Sequence, residues 1–141
     1  MPEFIPSHAP GGVDLMLRGY LAAAEWTFCD VVDGEDVDTV PDDCEGWHPS
    51  AIDKARADCE AFAAANAADL AAYAETRRIR GDYSADGCAG HDFWLTRCGH
   101  GTGFWDRGEV PADARDRLAK AARRFGNVDV YLGDDKFLYF G

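Results

Sequence analysis

Between Asp30 and Pro49 the chain carries eight carboxylates, Asp30, Asp33, Glu35, Asp36, Asp38, Asp42, Asp43 and Glu45, and neither lysine nor arginine. Burying so many unpaired charges is prohibitively costly. The run therefore reads as solvated surface. Gly34, Pro41, Gly46 and Pro49 interrupt any regular period inside the run. The reading is a long acidic surface loop over 30–49, and loops of that length are commonly functional or mobile. Trp47 is expected to pin its far end to the core. Asp33 to Asp38 lacks the twelve-residue spacing and terminal glutamate of an EF-hand, so calcium is not expected there.

The flanks show helical periods. Residues 1–12, with three prolines and two glycines, read as an extended arm. Val13, Met16, Leu17, Tyr20, Leu21, Ala24 and Phe28 recur at steps of three and four, which predicts a helix over 13–28. Ser50 reads as the N-cap of a second helix, with Asp53 completing a capping-box-like pair. Its stripe runs through Ile52, Ala55, Cys59, Phe62, Ala63, Asn66, Leu70 and Tyr73. The cations Arg77, Arg78 and Arg80 suit its C-terminal end, and Gly81 is its stop. A third helix is expected over 111–125, with Pro111 in the first position, Ala114, Leu118, Ala121, Ala122 and Phe125 buried, and Gly126 behind it. Val128–Leu132 and Phe137–Phe140 read as strands joined by a turn at Gly133–Lys136, where Asp134 and Asp135 are turn residues.

Residues 81–108 hold seven glycines. Within them His91–Arg97 reads as a strand, Phe93 and Leu95 on one face and Asp92, Trp94 and Thr96 on the other. Gly99-His100-Gly101 is a turn, and Thr102–Asp106 returns as a second strand. The expected fold class is α+β: two N-terminal helices packed on a small antiparallel sheet, with a third helix inserted before the C-terminal hairpin. The 141 residues fit a single domain.

Net charge is −12. Residues 1–60 hold 14 acids and 3 bases, residues 61–141 hold 12 and 11, so nearly the whole imbalance lies in the first half. Such a surface repels phosphates and anionic lipid, which argues against direct nucleic-acid or membrane binding and favours a basic protein partner. No apolar run is long enough for a membrane span, and the N-terminus has no signal-peptide pattern. Five cysteines, Cys29, Cys44, Cys59, Cys88 and Cys98, at irregular spacing suit reduced thiols in a cytoplasm.

The segment from His91 to Gly108, HDFWLTRCGHGTGFWDRG, mixes reactive residue types with glycines and two tryptophans. Three chemistries are conceivable for these residue types. A metal site would draw on His91, Cys98 and His100, with Cys88, Asp92 and Asp106 nearby, but the paired-ligand spacing of zinc sites is missing. A nucleophile would be Cys98 with His91 or His100 as base. A phosphate cradle over Gly99–Gly103 lacks a following helix and a Walker lysine. The favoured reading is packing. Trp94, Phe104 and Trp105 supply core area, Asp92, Arg97, Asp106 and Arg107 pair across the hairpin, and His91 and His100 cap backbone groups.

The same segment resembles the signature of a family of small, functionally uncharacterised proteins encoded by tailed bacteriophages and prophages. The resemblance extends to Leu21-Ala22-Ala23-Ala24-Glu25-Trp26, to Asp58-Cys59-Glu60-Ala61-Phe62 and to the tail Tyr131-Leu132-Gly133-Asp134-Asp135, and so covers most of the chain from about residue 19. Cys98 stands where that family usually has asparagine, which weakens both readings that depend on its thiol. The resemblance implies an accessory protein acting in the bacterial host cytoplasm.

The functional expectation is a non-enzymatic, cofactor-free and metal-free binding protein. It would inhibit a host nucleic-acid-handling or defence protein by occupying a basic surface, with DNA mimicry as one means. Asp33, Glu35, Asp36, Asp38, Asp42, Asp43, Glu45 and Trp47 are the candidate partner-binding residues, with Trp105 as a second exposed anchor. The alternative is a small metal-binding protein or hydrolase using the segment His91, Asp92, Trp94, Arg97, His100, Trp105 and Asp106. A scaffolding role is a third possibility, and the oligomeric state is left open.

Overall fold

The computed structural model describes residues 12–77, 84–100 and 103–141. The arm expected over 1–12 lies, Gly12 apart, outside these residues, as do Arg78, Arg80, Gly81, Gly101 and Thr102. The protein is α+β. In chain order it has α1 (Gly12–Trp26), β1 (Asp30–Val32), β2 (Glu35–Val37), β3 (Gly46–Trp47), α2 (Pro49–Ala65), α3 (Ala67–Thr76), α4 (Ala85–Arg97), a 3-10 turn (Phe104–Asp106), α5 (Ala112–Arg123), β4 (Val130–Leu132) and β5 (Phe137–Phe140).

The centre of the molecule is α4, where the sequence predicts a strand. Ser84 caps it by accepting a hydrogen bond from Gly87 N at 3.0 Å. At the other end the Gly99 amide bonds Thr96 O and the His100 amide bonds Leu95 O, with Gly99 at φ +77°. This is a Schellman ending, which needs a residue in the left-handed region. From Gly87 to Arg97 every residue but His91 is buried, so the helix has no polar face and no amphipathic stripe. The Phe93/Leu95 alternation is coincidental, and Gly99 closes a helix rather than a hairpin. Nor is there a return strand among the described residues of 102–106: Phe104–Asp106 forms the 3-10 turn.

Glycine lets α1 and α4 approach closely. A Cβ on Gly19 would stand 1.9 Å from the Gly87 carbonyl oxygen, and one on Gly90 would stand 1.8 Å from that of Met16. Around this contact lies an aromatic core. The Phe62 and Phe93 rings stack at 4.2 Å, Tyr20 meets Trp94 edge-on at 5.3 Å, and Tyr73 meets Phe104 at 5.4 Å. Each such buried ring contributes about 1.5–3 kcal/mol through apolar area alone.

The single long second helix is two helices. It breaks at Asn66, whose backbone leaves the helical region at φ −125° and ψ 28° and whose side-chain amide donates to Phe62 O at 2.9 Å beside its own backbone N–H. Its N-cap is His48 rather than Ser50: the imidazole Nδ1 accepts from Ser50 N, with Pro49 in the first turn. Pro111, expected inside α5, stands just before it. The last strands pair as expected, antiparallel with Tyr131 opposite Tyr139, although the first begins at Val130 rather than Val128. Asp135 shapes their turn by accepting from Phe137 N at 3.0 Å and from the Tyr139 hydroxyl.

The sheet itself is mixed. β5 lies between β4 and β3, and β3 runs parallel to it with Trp47 opposite Leu138. Thus the 30–49 segment is not a structureless loop. It contributes β3 to this sheet and folds β1 and β2 into a separate antiparallel hairpin.

Candidate partner-binding surface

The hairpin owes its shape to Asp33-Gly34. Both residues have positive φ, +53° and +82°, as a two-residue type I′ turn requires, and Asp-Gly is a preferred sequence for it. The segment is anchored at both ends. At the start Asp30 Oδ2 accepts from Leu132 N at 3.0 Å, which sets β1 beside β4. At the far end Glu45 N bonds Lys136 O and His48 N bonds Leu138 O, and Lys136 Nζ reaches Asp43 at 3.3 Å. Trp47 is half-buried, stacked on Phe140 at 4.7 Å and donating its indole N–H to Glu25 at 2.7 Å. It therefore secures the segment, as expected, but is not an exposed anchor.

Between those tethers Asp33, Glu35, Asp36, Asp38, Asp42 and Glu45 are exposed, and among the described residues none of them forms an ion pair. The strip of uncompensated charge thus lies on an ordered backbone. Beside it, Ala22, Glu25 and Trp26 of α1 face Asp38, Thr39 and Val40 across a cleft of about 380 Å³. Trp26 is 70% exposed, with its ring lying over His91 at 6.2 Å. Trp26 enters the sequence reading only within the Leu21–Trp26 stretch of the resemblance, not as a site residue. Its available signal was position, since it falls off the buried stripe Met16–Tyr20–Ala23–Ala24.

The signature segment is dispersed over several surroundings. Asp92 is completely buried. Arg107 grips it with Nε at 3.0 Å and Nη2 at 2.6 Å, the Tyr73 hydroxyl donates at 2.5 Å, and Arg77 Nε stands at 3.5 Å. Burial by itself would raise this carboxyl's pKa. Hydrogen bonds from His91, Arg107 and Tyr73 and the Arg107 charge outweigh it and hold the pKa below the ordinary value. Arg97 points elsewhere, to the carbonyls of Phe125 and Gly126, the Tyr20 hydroxyl and Asp58. Asp92 and Arg97 thus do pair, but with Arg107 and Asp58, and from a helix instead of across a hairpin. The segment also closes on itself: Phe104 N donates to Thr96 Oγ1 at 3.0 Å, and a Cβ on Gly103 would sit 2.2 Å from that same oxygen.

The remaining residues of the segment do not converge with these. Trp94 is buried and donates to Thr27 Oγ1 at 2.8 Å. Trp94 and His100 line a smaller cleft of about 170 Å³ together with Cys29 and Cys98. Trp105 and Asp106 are exposed on the 3-10 turn, where Arg115 approaches the Trp105 ring at 5.9 Å. Trp105 is therefore surface, not the core residue of the packing reading. Burial pushes the Cys98 thiol above its usual range, which disfavours the thiolate a nucleophile needs. Among the described residues no three His, Cys, Asp or Glu side chains are grouped to hold a metal ion, and no helix is long and apolar enough to cross a membrane.

Architecture and surface together define an α+β protein with an ordered acidic strip. Comparison with family models, with curated proteins and with solved structures finds no match to this chain.

Proposed function

We propose that this chain is an acidic binding protein of bacteriophage type. It would occupy a basic surface on a bacterial nucleic-acid-handling or defence protein and so compete with nucleic acid. One observation carries the reading: exposed carboxylates that form no ion pair among the described residues lie on a segment tethered at both ends by β4 and β5. Ordered like charges resemble a phosphate backbone more closely than a floppy acidic tail does, because less backbone ordering entropy is lost on binding. Their field speeds encounter with a basic partner and selects against acidic ones.

The test is capture from bacterial lysate at low salt, with elution by duplex DNA and identification by mass spectrometry. The parent protein should retain nucleic-acid-binding proteins that duplex DNA displaces. A variant carrying D33N, E35Q, D36N, D38N, D42N and E45Q should retain none of them. Retention of the same proteins by this variant, or failure of duplex DNA to displace them, would overturn the reading.

A further inference from the structure

We infer that the cleft between α1 and the strand-exit segment 38–40 is a receptor for an arginine side chain of the partner, with Trp26 as its stacking platform. This inference rests on the binding reading above and names the contact that would give it selectivity. A tryptophan at the end of α1 could have been buried with Tyr20 and Phe28. It is instead 70% exposed, on the outward face shared with Ala22 and Glu25. Its indole lies over the His91 ring at an interplanar angle of 27°, so the ring is braced on one side. The walls of the cleft supply charge: Glu25 and Asp38 line it with Trp26, and Val40 and Ala22 provide an apolar floor. The Trp47 indole donates to Glu25 Oε2, which orients that carboxylate and leaves its other oxygen available.

These features select one occupant. A guanidinium is planar and weakly hydrated, stacks on an indole, and donates in a fork to carboxylates. An ammonium is a compact, strongly hydrated charge that gains less from a ring face. An acidic or purely apolar side chain would meet Glu25 and Asp38 with no compensation. The cleft lies next to the hairpin, so an arginine seated in it belongs to the same basic surface that the carboxylate strip meets.

Two peptides of equal length and charge, one built on arginine and one on lysine, are the probes. They are titrated at low salt against the parent protein, W26L, W26F and the hairpin variant D33N/E35Q/D36N, following the indole N–H resonance of Trp26 and the dissociation constants. The parent should prefer the arginine peptide. W26L should weaken that peptide by about 3- to 30-fold and the lysine peptide hardly at all, and W26F should recover part of the loss. Equal binding of both peptides by the parent, or arginine-peptide binding unchanged in W26L, overturns the inference. The acidic-surface reading then survives if both peptides still bind and the hairpin variant weakens both. If neither peptide binds the parent at low salt, both fall.

Discussion

Asp92 is the residue on which the interior most depends. Removing its charge leaves Arg107 and Arg77 facing a neutral group in a buried site, so Asp92→Asn should destabilise the protein by about 3–5 kcal/mol, the range for breaking a buried pair. Urea titration checks this. The same carboxylate sets an acid limit. Its pKa in the folded protein lies below the ordinary value of 3.8, so the unfolded state binds the proton more readily. Its stabilising contribution is complete above the unfolded value and is lost as pH falls through the folded one. Stability measured from pH 5 downward should therefore drop more steeply in the parent than in Asp92→Asn; parallel curves would contradict this. Thiol chemistry gives a second check at this scale. Cys29 is exposed and Cys59 fully buried, and burial raises the Cys59 pKa. A thiol-specific reagent should label Cys29 rapidly and Cys59 only on unfolding, which peptide mapping would resolve. The sequence suggested that acids and arginines of the signature would pair. It named Arg107, which does hold Asp92, but it could not supply Tyr73 and Asp58, which come from other helices and leave no mark on local spacing.

Among elements, the α1–α4 contact is the most extensive in the described structure, and it depends on glycine. Gly90→Ala places a methyl group against the Met16 carbonyl, where backbone and not a flexible side chain must move. The cost should be at least about 1–3 kcal/mol, as for overpacking, seen as a lower melting temperature with faster amide exchange in both helices. Gly34→Ala meets no steric neighbour but sits at φ +82°; it should cost only about 1 kcal/mol. These two elements also show where sequence reading succeeds and fails. α1, α5 and the β4–β5 hairpin were legible because each is buried on one side and so shows its period. α4 was not, since burial all round erases the period and its internal glycines imitate turns. The β1–β2 hairpin was legible in principle from Asp33-Gly34 between valine-containing stretches. The surrounding carboxylates mask that turn signal, because they break the apolar alternation that marks a strand.

At the scale of the whole molecule, a net charge of −12 works against compaction, and the repulsion is concentrated around the hairpin. Screening should relieve it. The melting temperature should therefore rise between low and physiological salt, and neutralising Asp33, Glu35 and Asp36 together should raise the low-salt value and flatten that dependence. Differential scanning calorimetry over a salt series tests both parts. The exposure of the acidic residues was legible in the sequence, because eight acids without a lysine or arginine among them cannot be buried together. The cleft beside them was not, since it is formed by two segments whose proximity depends on the sheet.

That proximity has a consequence in time. The strand that holds β3 in place pairs Gly46 with Phe137, a partner about ninety residues further along, and closures over such distances are slow to form. The acidic strip can take up its final position only after both ends of this span have met. A nascent or partly unfolded chain carries the same charges without the arrangement, so under the proposed function any competence to bind would arise late and report that folding is complete.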